Sequence, residues 1–189
     1  MARFLAPSVL MLAMFLTACS SVAPKTDEDA KLRHSEVIQA IAELQAKDFS
    51  LEKLFNSAYA YAIFPNVTSG SLGLGKFSGD GEVFKGGNFA GYASISGGSV
   101  GKQVDGQDFI QVVFFQNEAA FNNVKNGSFE SDAKATAVTI KPGEGAQADY
   151  TNGIIAFALS RKGLMVQAAV GGQKLSFHAT DKIGGSKLK

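Results

Sequence analysis

The chain has 189 residues, with 18 basic and 17 acidic side chains, 15 Phe, 21 Gly, no Trp and one Cys. A net charge of +1 supplies no basic excess for nucleic-acid binding, and one cysteine excludes an intramolecular disulfide. The two histidines, His34 and His178, have no second His or Cys at ligand spacing, so neither a zinc site nor a cofactor is expected.

Met1-Ala2-Arg3 is a short basic start, followed by the uncharged apolar run Phe4 to Leu16. That run has the length of a secretory signal core and is shorter than the roughly 20 residues of a spanning helix. Leu16-Thr17-Ala18-Cys19 then resembles the bacterial lipobox, in which small residues precede a cysteine that receives a diacylglycerol. The reading is a signal peptide over 1–18, a lipidated N-terminus at Cys19 and a tether over 19–26. Ser20 follows the cysteine where an Asp favours inner-membrane retention, which points to the outer membrane, facing the periplasm. Without residues 1–18 the chain loses only Arg3, leaving equal numbers of acidic and basic side chains. The remaining 27–180 suffices for one domain with its own core, ahead of a basic tail over 181–189.

From Thr26 or Asp27 to Lys47 the period is helical, with Leu32, Ile38, Ile41 and Leu44 as the expected apolar stripe and Asp27, Glu28 and Asp29 favouring the helix dipole. Ser50 is a candidate N-cap for a second helix carrying Leu51, Leu54, Phe55 and Ala58, and Pro65 marks an extended exit. Gly70 to Gly106 holds twelve glycines among short alternating runs, which read as short antiparallel strands with bulges or close backbone contacts at Gly. Asp108 to Phe115 is the most apolar strand and is expected at the centre. Gln116 to Lys125 is a helix packed through Ala119, Ala120, Phe121 and Val124. Ala135 to Ile140 is another strand, and Ile154 to Ser160 and Leu164 to Val170 form a hairpin. The expected class is α+β: N-terminal helices packed on a twisted, mostly antiparallel, partly barrel-like sheet.

No motif converges on catalysis. Gly70 to Lys76 has the spacing of a P-loop, but Phe77 stands where a magnesium-binding hydroxyl belongs and Ser-Gly-Asp-Gly follows instead of a helix. No GxSxG element is present. Asp80, Glu82, Asp105 and Asp108 read as solvated carboxylates flanking turns. The basic residues Lys76, Lys85, Lys102, Arg161 and Lys162 are the candidate contacts to lipid head groups if the fold gathers them on one face. Their other reading is as solvated strand edges, where Lys discourages edge pairing.

Tyr59 to Pro65, then Gly73-Leu-Gly75 and Gly79-Asp-Gly81, then Gly97 to Gly106, Asp108 to Gln116 and Ala119-Ala120-Phe121 follow an order that resembles the SYLF domain family over roughly residues 30 to 178. The Trp and Pro common in that family before the Gly-Ser strand are replaced here by Tyr92 and Ala93-Ser94. The resemblance implies phospholipid binding, with phosphoinositides and actin filaments as ligands in eukaryotic members. For an envelope protein the transferable part is affinity for anionic membrane surfaces. The expectation is therefore a non-enzymatic, lipid-anchored envelope protein that binds phospholipid or a membrane surface. The alternative is an envelope structural protein that binds a protein partner without lipid specificity. Cys19→Ser should leave an uncleaved or mis-cleaved precursor without fatty-acid labelling, and a chain starting at Ser21 behind a soluble secretion signal should not partition into detergent as the wild type does; normal palmitate labelling of Cys19→Ser would remove the lipoprotein reading.

Overall fold

The computed structural model describes residues 22–69, 76–97, 108–125, 137–160, 163–167 and 173–179. Helix α1, Asp27–Lys47, starts at Thr26, whose hydroxyl accepts from the Asp29 N–H at 3.1 Å, with three acidic residues in the first turn. Its buried face is Val37, Ala40 and Leu44 with Ile41 packed beside it, so Ile41 and Leu44 of the expected stripe face the sheet, whereas Leu32, 60% exposed, and Ile38, 36% exposed, do not. Helix α2, Leu51–Ser57, buries Leu51 and Leu54. The Ser50 hydroxyl does not cap α2; it accepts instead from the Ala146 N–H at 3.0 Å.

Strands β1 (Ala60–Ser69), β2 (Phe77–Lys85), β3 (Asn88–Gly97), β4 (Phe109–Phe115), β5 (Ala137–Thr139), β6 (Ile154–Ser160), β7 (Gly163–Gln167) and β8 (Gln173–Ala179) form one open antiparallel sheet. Its order is β5-β7-β6-β4-β1-β2-β3-β8, so the apolar strand β4 is central, as its sequence requires. Helix α3, Glu118–Lys125, lies between β4 and β5 in the chain; Asn117 Oδ1 accepts from the Ala120 N–H at its start.

Strand alternation divides the core in two. Ala60, Ala62, Phe64, Val113, Phe115, Ala156, Met165 and Leu175 meet on the inner face of the curled sheet, where α3 adds Ala120, Phe121 and Val124. Tyr61, Ile63, Phe84, Val112, Phe114, Ile155 and Phe157 point the other way and are covered by α1 and α2. Phe55 of α2 meets Phe114 edge-on at 4.9 Å between centroids, and Phe121 of α3 meets Phe115 at 5.5 Å.

Pro65 lies in extended chain, as expected, inside β1. The register slips against β2 between Ile63 and Thr68 and against β4 between Phe64 and Val67, so Pro65-Asn66 is a bulge, the place where a strand tolerates a residue with no N–H. Gly79 and Gly81 lie opposite, within β2 and not in a turn. A Cβ at Gly81 would strike the Ile63 carbonyl, and one at Gly79 would stand 2.9 Å from the Asn66 carbonyl. The strand β8, unassigned from sequence, pairs with β3 along its whole length. Gly73-Leu-Gly75, Asp105 and most of Gly97 to Gly106 lie outside the described residues.

Asp48, fully buried at the end of α1, ties the helices to the loop after β5. Its oxygens accept from the N–H groups of Ser50, Gly143 and Gly145 at 2.8–2.9 Å. Phe114→Ala should destabilise the domain by about 3–5 kcal/mol, since the site lies between β4, α2 and Phe157 and cannot collapse readily. A loss below about 1 kcal/mol in a denaturant titration would contradict that packing.

Candidate functional site

The polar chemistry of the described residues gathers where α1 crosses β1 and β2. Consecutive helix residues reach alternate residues of β2: Arg33 Nη2 is 3.6 Å from Asp80 Oδ2, and His34 Nδ1 is 2.9 Å from Glu82 Oε2. The period of two makes this possible, because Asp80 and Glu82 share the outer face of β2. Glu82 is 1% exposed, which corrects its reading as a solvated turn carboxylate; Asp80 is exposed but also lies within the strand. Burial pushes the Glu82 carboxyl above its ordinary range, while His34 and the Arg33 charge pull it back. Burial, reinforced by the Glu82 charge, pushes the Tyr61 hydroxyl up to about 12. Arg33 also donates through Nη1 to the Val22 carbonyl at 2.9 Å, so the segment that enters α1 is held beside the same cluster.

The basic residues singled out in sequence do not form one cluster among the described residues. Lys76 precedes β2 and Lys85 ends it, which sets them roughly 30 Å apart along the strand. Both are exposed, and the Lys85 ammonium lies 4.7 Å from the Tyr59 ring centroid, where it is hydrogen-bonded to Tyr59 and raised in pKa. Cys19, Lys102, Arg161 and Lys162 lie outside the described residues; Ser160 and Gly163, which flank the last pair, are register partners at the Phe77 end of the sheet. Of the two histidines, His34 enters the cluster above, and His178 lies on β8 opposite Tyr92.

Two open grooves flank α1. One, of about 550 Å³, lies towards β4 and β6 and includes Glu36, Glu43, Lys47 and Asp108. The other, of about 480 Å³, lies towards β2 and β3 and includes Val22, Arg33, Glu36, Ser78, Asp80, Ser94 and Ser96. The second was not legible in sequence, because serines scattered over two strands carry no signal until the register aligns them.

Inside the sheet, Gln111 Nε2 donates to Gln173 Oε1 at 2.9 Å, while the buried Gln111 Oε1 has no hydrogen-bond partner. This polar pair joins β4 to β8 across the curled interior.

Glu82 and Asp48 have opposite pH dependences. For Asp48, burial raises the pKa, but the hydrogen bonds from Ser50, Gly145 and Gly143 outweigh it and leave the carboxyl below its ordinary value. Its stabilisation is thus present above about pH 4 and lost as pH falls through the lower folded-state value. The raised Glu82 holds its proton more tightly when folded, so its contribution weakens as pH rises from about 4.3 through its folded-state value. Glu82→Gln should therefore gain stability relative to wild type across that window. Chemical denaturation from pH 4 to 8 checks this; a pH-independent difference would mean that Glu82 titrates as in the unfolded chain.

No family model matches the chain. Beta cell expansion factor A of Aeromonas veronii is a distant homologue, 27% identical over 154 residues that cover 80% of this chain and 58% of that protein. The chain thus aligns with less than two thirds of its relative's length.

Proposed function

We propose that the chain is a lipoprotein of the bacterial envelope, acylated at Cys19, whose SYLF-like domain binds a phospholipid surface without catalysing a reaction. The observation that carries this reading is the exposed side of α1 next to the segment that leads from Cys19. Leu32 is 60% exposed on α1 and shares a surface recess with Ala23, Pro24 and Lys25. Ile38, 36% exposed, lies further along the same helix. An apolar side chain on a helix surface gains by entering the head-group boundary, and basic residues such as Lys25 and Lys31 add attraction to anionic lipid.

The distance to the anchor supports the same reading. Two residues, Ser20 and Ser21, separate Cys19 from Val22, and the three residue steps span at most about 11 Å. With the Val22 carbonyl held by Arg33, a bilayer holding the acyl chains comes within reach of α1. Ser20 after the acylated cysteine favours the outer membrane, with the domain in the periplasm. No helix among the described residues is long and apolar enough to cross a membrane, so attachment in this reading comes from the acyl chains and the domain surface.

The acyl anchor and the domain's own affinity separate in a vesicle flotation experiment on a chain that starts at Ser21 and so lacks both the signal and the acyl site. It should still float with anionic vesicles of phosphatidylethanolamine and phosphatidylglycerol, and Leu32→Glu should weaken that binding about tenfold or more with little change in melting temperature. Absence of flotation by that chain would leave the domain no lipid affinity of its own and favour a protein partner instead.

A further inference from the structure

Helix α1 is held to the sheet by different means in its two halves. Its buried side chains, Val37, Ala40 and Leu44, all belong to the second half. From Asp27 to Glu36 no residue is buried. The contacts that fix this first half are polar: Arg33 with Asp80, His34 with Glu82, and Arg33 with the Val22 carbonyl. One ring contact adds to them, between His34 and Phe84 at 6.4 Å. Lifting the first half therefore forfeits little apolar burial, and the two pairs decide whether it stays down.

The pairs differ in depth. The Asp80 side chain is 46% exposed and that of Glu82 only 2%. Water solvates Asp80 where it stands, but it reaches Glu82 only if α1 moves. Glu82 is faced by Arg33 and His34 from α1, by Tyr61 from β1 and by Tyr92 from β3. Asp27 lies near Tyr92, and His178 of β8 is opposite it. Arg33 is already engaged with Asp80 and Val22, which leaves His34 to balance the Glu82 charge.

A single proton is enough for that balance. Held as imidazolium with carboxylate, or as imidazole with carboxylic acid, it leaves no uncompensated buried charge. Without it a dehydrated carboxylate faces a neutral ring. Burial is the largest influence on Glu82, ahead of His34 and Arg33, and it raises the carboxyl. The closed arrangement is thus favoured below about pH 4.3 and loses that support as pH rises through the folded-state value. Asp48, at the other end of α1, has a lowered carboxyl and keeps its hydrogen bonds from Ser50, Gly143 and Gly145 over the same rise.

We propose that the first half of α1, Asp27 to Glu36, is a pH-controlled latch, closed on β2 while His34 and Glu82 share a proton and released with the Val22 segment when that proton is lost. Its consequence for attachment rests on the membrane reading above. With the latch closed, the fixed part of the domain begins at Val22, within about 11 Å of Cys19. With it open, the fixed part begins at Val37, and the freed segment adds roughly 20 Å even while helical. Rising pH then loosens the domain from the bilayer without unfolding it.

Hydrogen exchange on the full chain in a neutral detergent reads the latch, between about pH 4 and 8 and corrected for the intrinsic effect of pH. A helix this short is marginal off the sheet, so release exposes its amides. Protection from Lys31 to Glu36 should fall about tenfold or more over that range, while Ala40 to Leu44 stays constant. Glu82→Gln, which carries no charge, should keep the first half protected throughout. In the wild type the His34 imidazole resonances should change with the same midpoint as the protection, a readout that does not depend on the variant folding. Protection that ignores pH, a fall that persists in Glu82→Gln, or a fall shared equally by Ala40 to Leu44 overturns the latch. Flotation of the chain starting at Ser21 is a separate measurement: a latch without flotation overturns only its consequence for attachment, and flotation without a latch leaves the membrane reading in place.

Discussion

Burial of both faces of the central strands is the constraint from which the rest of the architecture follows. On β4, Phe109, Val113 and Phe115 point to one side and Val112 and Phe114 to the other, all at most 4% exposed. A flat antiparallel sheet with water on one face could not accommodate that pattern. The inner set is covered by curling the sheet until side chains of β1 to β4 and β6 to β8 meet, with α3 as the added cover. The outer set is covered by α1 and α2. A helix pair covers only part of eight strands, which leaves β2, β3 and β8 with a polar outer face beyond α1. The polar groove is thus a consequence of how far the helical cover extends.

The elements legible in the sequence are those whose pattern depends on near neighbours alone. The helix over Asp27–Lys47, the strand Phe109–Phe115 and the hairpin of β6 and β7 follow from local periodicity and the turn between them. Tertiary partners decided the rest. Tyr59 to Pro65 reads as a helix exit, yet Ala60–Ser69 is the strand that pairs with both β2 and β4, because a bulge absorbs Pro65. Gly79 and Gly81 are close backbone contacts, as their run suggests, but the partner they let approach, the bulged backbone of β1, is visible only in the fold. On α1 Ile41 and Leu44 of the expected stripe pack, but Leu32 and Ile38 do not, since Val37 and Ala40 complete the packed face and Arg33 and His34 are paired with β2. Nothing local distinguishes Glu82 from Asp80, although β1 and α1 bury only the former.

The two buried carboxylates illustrate how context divides one functional group into two behaviours. Asp48 receives three backbone N–H donors and is a satisfied anion that joins α1, α2 and the loop after β5. Glu82 has a half-exposed imidazole as its close partner, with Tyr61 and Tyr92 beside it, so its charge is held less comfortably. The desolvation of such a pair can exceed its mutual attraction. Its contribution is therefore better described as registration than as net stability. Arg33 and His34 bond only when α1 sits at one position along β2, which fixes which helix residues border each groove.

That registration couples the fold to the proposed attachment. Arg33 holds the Val22 carbonyl with one nitrogen and faces Asp80 with another, so the segment leading from Cys19, the helix and the polar sheet face share a single residue. A long free tether would let the domain sample every orientation above a bilayer, and its affinity would average over them. In the proposed attachment a link of about 11 Å at most, held at its inner end, would restrict the domain to orientations in which α1 lies towards the lipid. An acyl anchor at Cys19 would then raise the local concentration of head groups at one surface of the domain. Even a surface with weak intrinsic affinity would be occupied under those conditions, because the second contact is intramolecular in character. An exposed helix face with few apolar side chains is therefore consistent with function in a tethered protein, where the same geometry in a freely diffusing one would bind too weakly to matter.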